Sequence, residues 1–164
     1  MINVQHLSKT FELSKQQRKE LQTSAKTATA VNGLSFKCQP GRVFSLLGPN
    51  GAGKTTTLRM LATLVKPSAG QIQIQGIDAI QQPEEARKHI GFLTGSTGLY
   101  ARLTPVELID YYADLYGVEK NIRETRKKEL FDLLDMNDFL QQRIGKLSTG
   151  MKQKVSICRT MIHD

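Results

Sequence analysis

The 164 residues carry 23 Lys and Arg against 15 Asp and Glu, a formal net charge of +8, with 39% hydrophobic residues and two cysteines. This length allows one domain of at most two lobes, and its apolar content suffices for a core. Two cysteines, Cys38 and Cys158, exclude a disulfide framework, and no run of about 20 apolar residues exists to cross a bilayer. The basic, polar N-terminus does not read as a secretory signal. Positive charge invites a nucleic-acid reading, but the aromatic interleaving of a single-strand platform is lacking.

In chain order, Glu12 to Thr29 is rich in Gln, Lys, Ser, Thr and Ala and is expected to be a mobile loop. It concentrates charge in Lys15, Arg18, Lys19 and Lys26. The apolar run Val43-Phe44-Ser45-Leu46-Leu47 reads as a buried parallel strand. Gly48-Pro49-Asn50-Gly51-Ala52-Gly53-Lys54-Thr55 follows, a complete G-x-x-x-x-G-K-[ST] phosphate-binding loop. Its glycines let the backbone fold round an anion, and its N–H groups and the next helix's N-terminus face phosphate oxygens. Lys54 reaches the β and γ phosphates, Thr55 ligates Mg²⁺, and Thr56 adds a bond to the α phosphate. The expected ligand is therefore ATP or another nucleoside triphosphate with Mg²⁺. Leu58, Leu61, Leu64 and Val65 continue at helical spacing.

Thr104-Pro105-Val106-Glu107 is a capping box with Pro at the first helical position. It predicts a helix through Leu108, Tyr111, Tyr112 and Leu115, ended by Gly117. A second helix is predicted over Arg123 to Leu134, burying Leu130, Phe131 and Leu134 and pairing Glu124 with Lys128 on its solvated face. Leu147-Ser148-Thr149-Gly150-Met151-Lys152-Gln153-Lys154 opens a last helix through Val155, Ile157, Cys158 and Met161. Ser148 is a natural N-cap, which leaves the N–H groups of Thr149, Gly150 and Met151 for an anion.

The phosphate loop and the Leu147–Met151 motif roughly 95 residues later together resemble the ATP-binding subunit of an ABC transporter, with its L-S-G-G-Q or L-S-G-G-M-K-Q signature. The resemblance covers essentially the whole chain, and its wording is closest to sodium- and drug-extruding exporters. Ile2 to Phe11 looks like the family's first strand and Ala30 to Phe36 its second. Phe11 stands where an aromatic ring stacks on adenine; a core position is the alternative. Lys66 to Ile72 resembles the turn after the loop's helix, and His89 to Leu93 the strand before the Q-loop. Gly98 to Tyr100 and Leu103 to Glu107 resemble the entry to the helical subdomain.

The resemblance implies an α/β P-loop NTPase of ABC type, with an N-terminal antiparallel β lobe and an inserted helical subdomain. It implies one partial domain: β lobe and P-loop core over 1–94, helical subdomain over 95–146, signature motif and helix over 147–164. Implied partners are a membrane-spanning permease and a second ATP-binding subunit. The two subunits pair head to tail, so that one signature closes over the γ phosphate held by the other P-loop. No nucleic acid is expected. The implied location is the cytoplasmic face of the membrane, with sodium as first cargo and drugs or lipids behind it.

Three departures stand out. Thr94-Gly95-Ser96 replaces the Pro-Gln of the Q-loop, so Gly95 offers no side-chain oxygen to Mg²⁺. Thr149 replaces the first signature glycine, and Met151 takes the glutamine position. The family's Walker B Asp, catalytic Glu and switch His follow the signature helix, beyond Asp164. No catalytic residue is therefore assigned. The Walker B strand pairs with the P-loop strand, so an unpaired sheet edge is expected. ATP binding without efficient hydrolysis is the expectation for these residues. A soluble ABC-type protein acting on ribosomes or nucleic acid is the alternative.

Overall fold

The computed structural model describes residues 1–93 and 98–163, in two compact units, Met1–His89 and Ile90–Asp164. The expectations for Thr94, Gly95, Ser96 and Asp164 lie outside the described residues.

The first unit holds strands β1 (Ile2–Glu12), β2 (Thr27–Cys38), β3 (Ala69–Ile74) and β4 (Ile77–Asp78), in one sheet of order β2-β1-β3-β4 with every pair antiparallel. The β lobe is thus the predicted one, and Ala69 to Ile72 begins its third strand. Val4 sets the register, opposite Phe36 on β2 and Ile72 on β3. Strict alternation from Val4 would turn Leu7 to solvent. The register shifts between them, and His6 adopts φ 49°. This bulge restores Leu7 to the core: it is fully buried, and Val31, Ile72, Ile74, Met60 and Ala86 of the same unit are buried too.

Helix α1 (Lys15–Glu20) replaces the featureless loop expected between β1 and β2. Its cause was legible: Ser14 and Gln17 form a capping box, S-x-x-Q, which composition had masked. Helix α2 (Lys54–Leu61) follows the glycine-rich loop. It buries Thr57 and Met60, whereas Leu58 and Leu64 are exposed and Leu64 and Val65 lie past its end. Helix α3 (Pro83–Arg87) completes this unit.

Two strand expectations are corrected. Residues 43–47 form no strand, and Val43 and Leu47 are 97% and 91% exposed. Residues 89–93 form none either. A strand exists through its neighbour's hydrogen bonds, and no described residue forms a ladder with either segment. Phe44 is nevertheless held, stacked on Phe36 at 4.8 Å between centroids.

The second unit is helical: α4 (Pro105–Leu115), α5 (Lys120–Leu133) and α6 (Thr149–Met161). Thr104 caps α4 through the predicted box, and Gly117 follows its end at φ 68°. Helix α5 begins three residues earlier than predicted; Leu130 and Phe131 are buried, and Leu134 packs partly against the core. Leu108, Ile109, Ala113, Phe139, Ile144, Val155 and Cys158 fill the same core. Lys127 lies across α4 and α5, donating to Asp110 at 2.8 Å and Glu124 at 3.0 Å. Burial alone would lower its pKa, yet these carboxylates hold it above the ordinary lysine value.

Candidate nucleotide-binding site

The glycine-rich loop runs from Gly48 into α2. Gly51 and Gly53 sit at φ 85° and 82°, in the left-handed region. Gly53 is fixed twice over, because a Cβ there would collide with the Ala30 carbonyl oxygen of β2. β2 thus backs the turn, a constraint the motif does not announce. Gly53 is also the N-cap of α2 and gives no side-chain cap. The N–H groups of Lys54, Thr55 and Thr56 therefore point out of the helix without an intrahelical acceptor. With the helix dipole behind them they suit an anion.

Lys54 Nζ donates to the carbonyls of Gly48 and Pro49, both at 2.7 Å. The side chain folds back across the loop, placing its charge over the cradle formed by Gly48, Pro49, Asn50, Gly51, Ala52 and Gly53. Ala52 N donates to Pro49 O at 3.3 Å, closing the turn. Thr57 was missed in the sequence. Its buried hydroxyl donates to Gly53 O at 3.0 Å and its N–H to the same oxygen at 2.8 Å, which pins loop to helix. A Thr two residues after the motif's own Thr55, four after Gly53 and so able to bond back to its carbonyl, was the available signal.

This geometry fits a triphosphate: uncapped N–H groups, a lysine ammonium over the loop, and no carboxylate in Gly48–Thr57. It fits Mg²⁺ in part. The exposed Thr55 offers one hard oxygen, and the ion's remaining ligands would be phosphate oxygens and water. Among the described residues no cluster of three His, Cys, Asp or Glu side chains forms an all-protein metal site.

Phe11 is 40% exposed near the end of β1, with Lys9 Nζ 5.0 Å from its ring centroid. The core alternative is thereby set aside, and the ring is accessible for stacking.

The signature motif opens α6 in the second unit. Leu147 is buried and anchors it, while Ser148, Thr149 and Gly150 are exposed. Ser148 is the N-cap as predicted, but its Oγ accepts the Met151 N–H at 3.2 Å. Of the three N–H groups assigned to an anion, that of Met151 is already used. Those of Thr149 and Gly150 remain. A Cβ on Gly150 would meet nothing within 4 Å, so its surroundings are open. His163 stacks on Tyr116 at 4.1 Å and belongs to the packing of the helical unit.

Residues 31–164 match the family model described as ABC transporter. The chain is 42% identical over 147 residues to the ABC transporter ATP-binding protein NatA of Bacillus subtilis, covering 89% of this chain and 60% of that protein. It is 35% identical over 134 residues to the bacitracin transport ATP-binding protein BcrA of Bacillus licheniformis, covering 82% of this chain and 43% of that one. The chain thus spans about half the length of these relatives. Among solved structures, an ATP-binding subunit of an ABC transporter superposes with TM-score 0.80 at 27% identity, over 99% of this chain and 62% of that chain. The cassette MJ0796, solved as a dimer with ADP and Pi, shares the fold with TM-score 0.78 at 23% identity, over 99% of this chain and 70% of its own. With a family model spanning most of its length and a relative at this identity, the chain belongs to the ABC transporter ATP-binding family.

Proposed function

We propose that this chain is the ATP-binding part of an ABC exporter, holding Mg-ATP on Gly48–Thr56 with Thr55 on the metal and Phe11 against adenine. The observation that carries the reading is the loop itself, with Lys54 drawn over Gly48 and Pro49 and the α2 N-terminus uncapped. Leu147, Ser148, Thr149, Gly150 and Met151 serve a second ATP-binding subunit in trans, closing over its γ phosphate. The exposure of Ser148, Thr149 and Gly150 at a helix N-terminus supports this. The helical unit, with the exposed Tyr100, docks a membrane-spanning permease on the cytoplasmic side. Among the described residues no helix is long and apolar enough to cross a membrane. The path for cargo is assigned to the permease. Sodium is the cargo we propose, on the exporter-type wording of the sequence.

In isolation these 164 residues hold ATP and turn it over slowly, since phosphoryl transfer also needs a group that places the water. The test uses inverted vesicles containing the full-length subunit and its permease. ATP-driven sodium uptake that Lys54→Ala lowers at least about 100-fold supports the reading. Uptake of a drug or lipid but not sodium would overturn the cargo alone, and uptake unaffected by Lys54→Ala would overturn the whole proposal.

A further inference from the structure

The α1 segment is more ordered than its composition suggests. Leu13 N donates to Lys26 O at 2.8 Å, closing the base of the excursion from the β1–β2 hairpin. At its far end Gln22 turns at φ 49°, and Thr23 N donates to Arg18 O at 3.0 Å, wrapping the chain back beside the helix.

The helix spacing sorts the charges. Lys15, Arg18 and Lys19 follow i, i+3, i+4 and share one face of α1. Glu20 lies off that face and accepts from Gln16 at 2.9 Å. The three cations, with Gln22, Thr23 and Ser24, line an open groove of about 530 Å³. Arg18 Nε is withdrawn from solvent within it and has no hydrogen-bond acceptor in the protein. Helix α1 buries no residue, so the fold does not need these side chains for its core.

We infer that this groove binds headgroup phosphates of an anionic phospholipid surface. Its chemistry is that of a phosphate receptor: two ammoniums and a guanidinium, with hydroxyls beside them. Leu21, the C-cap of α1 next to the groove's lining residues, favours a membrane over other polyanions. It ends the basic helix and stands 61% exposed, with nothing in the fold to cover it. Cations flanking an exposed leucine suit the headgroup boundary. A face for single-stranded nucleic acid would instead carry rings to stack on bases, and this segment has none.

The test is co-sedimentation of the full chain with vesicles of phosphatidylcholine alone or with 30% phosphatidylserine (about the content at which surface potential governs basic segments). Binding is expected on the anionic vesicles only, falling steeply between about 0.1 and 0.5 M salt. The triple variant Lys15→Gln, Arg18→Gln, Lys19→Gln should bind about 100-fold more weakly, at about fivefold per cation. Leu21→Ser should weaken binding while leaving the salt dependence unchanged. Both variants should keep wild-type ATP affinity, which shows that they fold. Equal binding of wild type and triple variant would overturn the inference. So would preference for polyuridylate over the vesicles, or binding of inorganic phosphate with no vesicle binding.

Discussion

Gly53 shows how much chemistry one position can hold. It takes a left-handed φ, caps α2 without a side chain and lies against the Ala30 carbonyl. Gly53→Ala should therefore lose ATP binding by more than the strain of a positive φ alone, which is about 1–2 kcal/mol. Isothermal titration with Mg-ATP would show the loss. Affinity within twofold of wild type would mean that β2 does not constrain the loop. The motif's glycines, lysine and threonines were legible because phosphate binding demands those residues at that spacing. The backing by β2 was not, because no local pattern reports the Gly53–Ala30 contact, made across more than 20 residues of chain; Thr57 bonds only four residues back, to Gly53, and was simply overlooked. At Met151 the sequence placed the N–H correctly at a helix start, and naming Ser148 the N-cap already implied that its Oγ would take the N2 or N3 N–H, which here is that of Met151. Cys158 was legible only as one of two thiols; in the fold it lies in the helical core, and burial pushes its pKa up to about 12.

Among the elements, helix α4 was read almost to the residue because its start is written in local chemistry. Thr104 N donates to Glu107 Oε2 at 2.8 Å, and Glu107 N to Thr104 Oγ1 at 3.3 Å. The bond from the Thr104 backbone, then that from its hydroxyl, holds the Glu107 carboxyl below its ordinary 4.5. A lowered carboxyl pKa stabilises the fold at pH above the unfolded value, and that part is lost as pH falls through the folded value. Urea midpoints measured from pH 6 downward should thus decline below about 4.5, less so in Glu107→Gln. Thr104→Ala should cost about 1 kcal/mol at neutral pH. Identical pH profiles for wild type and Glu107→Gln would remove Glu107 from the account. The segment at 43–47 taught the opposite lesson. Its apolar run announces a strand, but strand formation depends on partners that a local pattern cannot supply. The α1 helix was hidden by a polar composition even though its capping box lay in the sequence.

At the scale of the whole molecule, the antiparallel lobe with the phosphate loop and the helical unit with the signature are two compact units, each with its own buried apolar residues. Identity with relatives places the chain in its family, while the loop geometry says what its first unit can hold. The account stands or falls on that loop. The decisive measurement is equilibrium titration of the purified chain with a fluorescent ATP analogue, with and without Mg²⁺, for wild type and Lys54→Ala. Saturable binding at micromolar concentration, strengthened by Mg²⁺ and weakened at least about tenfold in Lys54→Ala, is the result predicted. Binding that ignores both the metal and the lysine would contradict it.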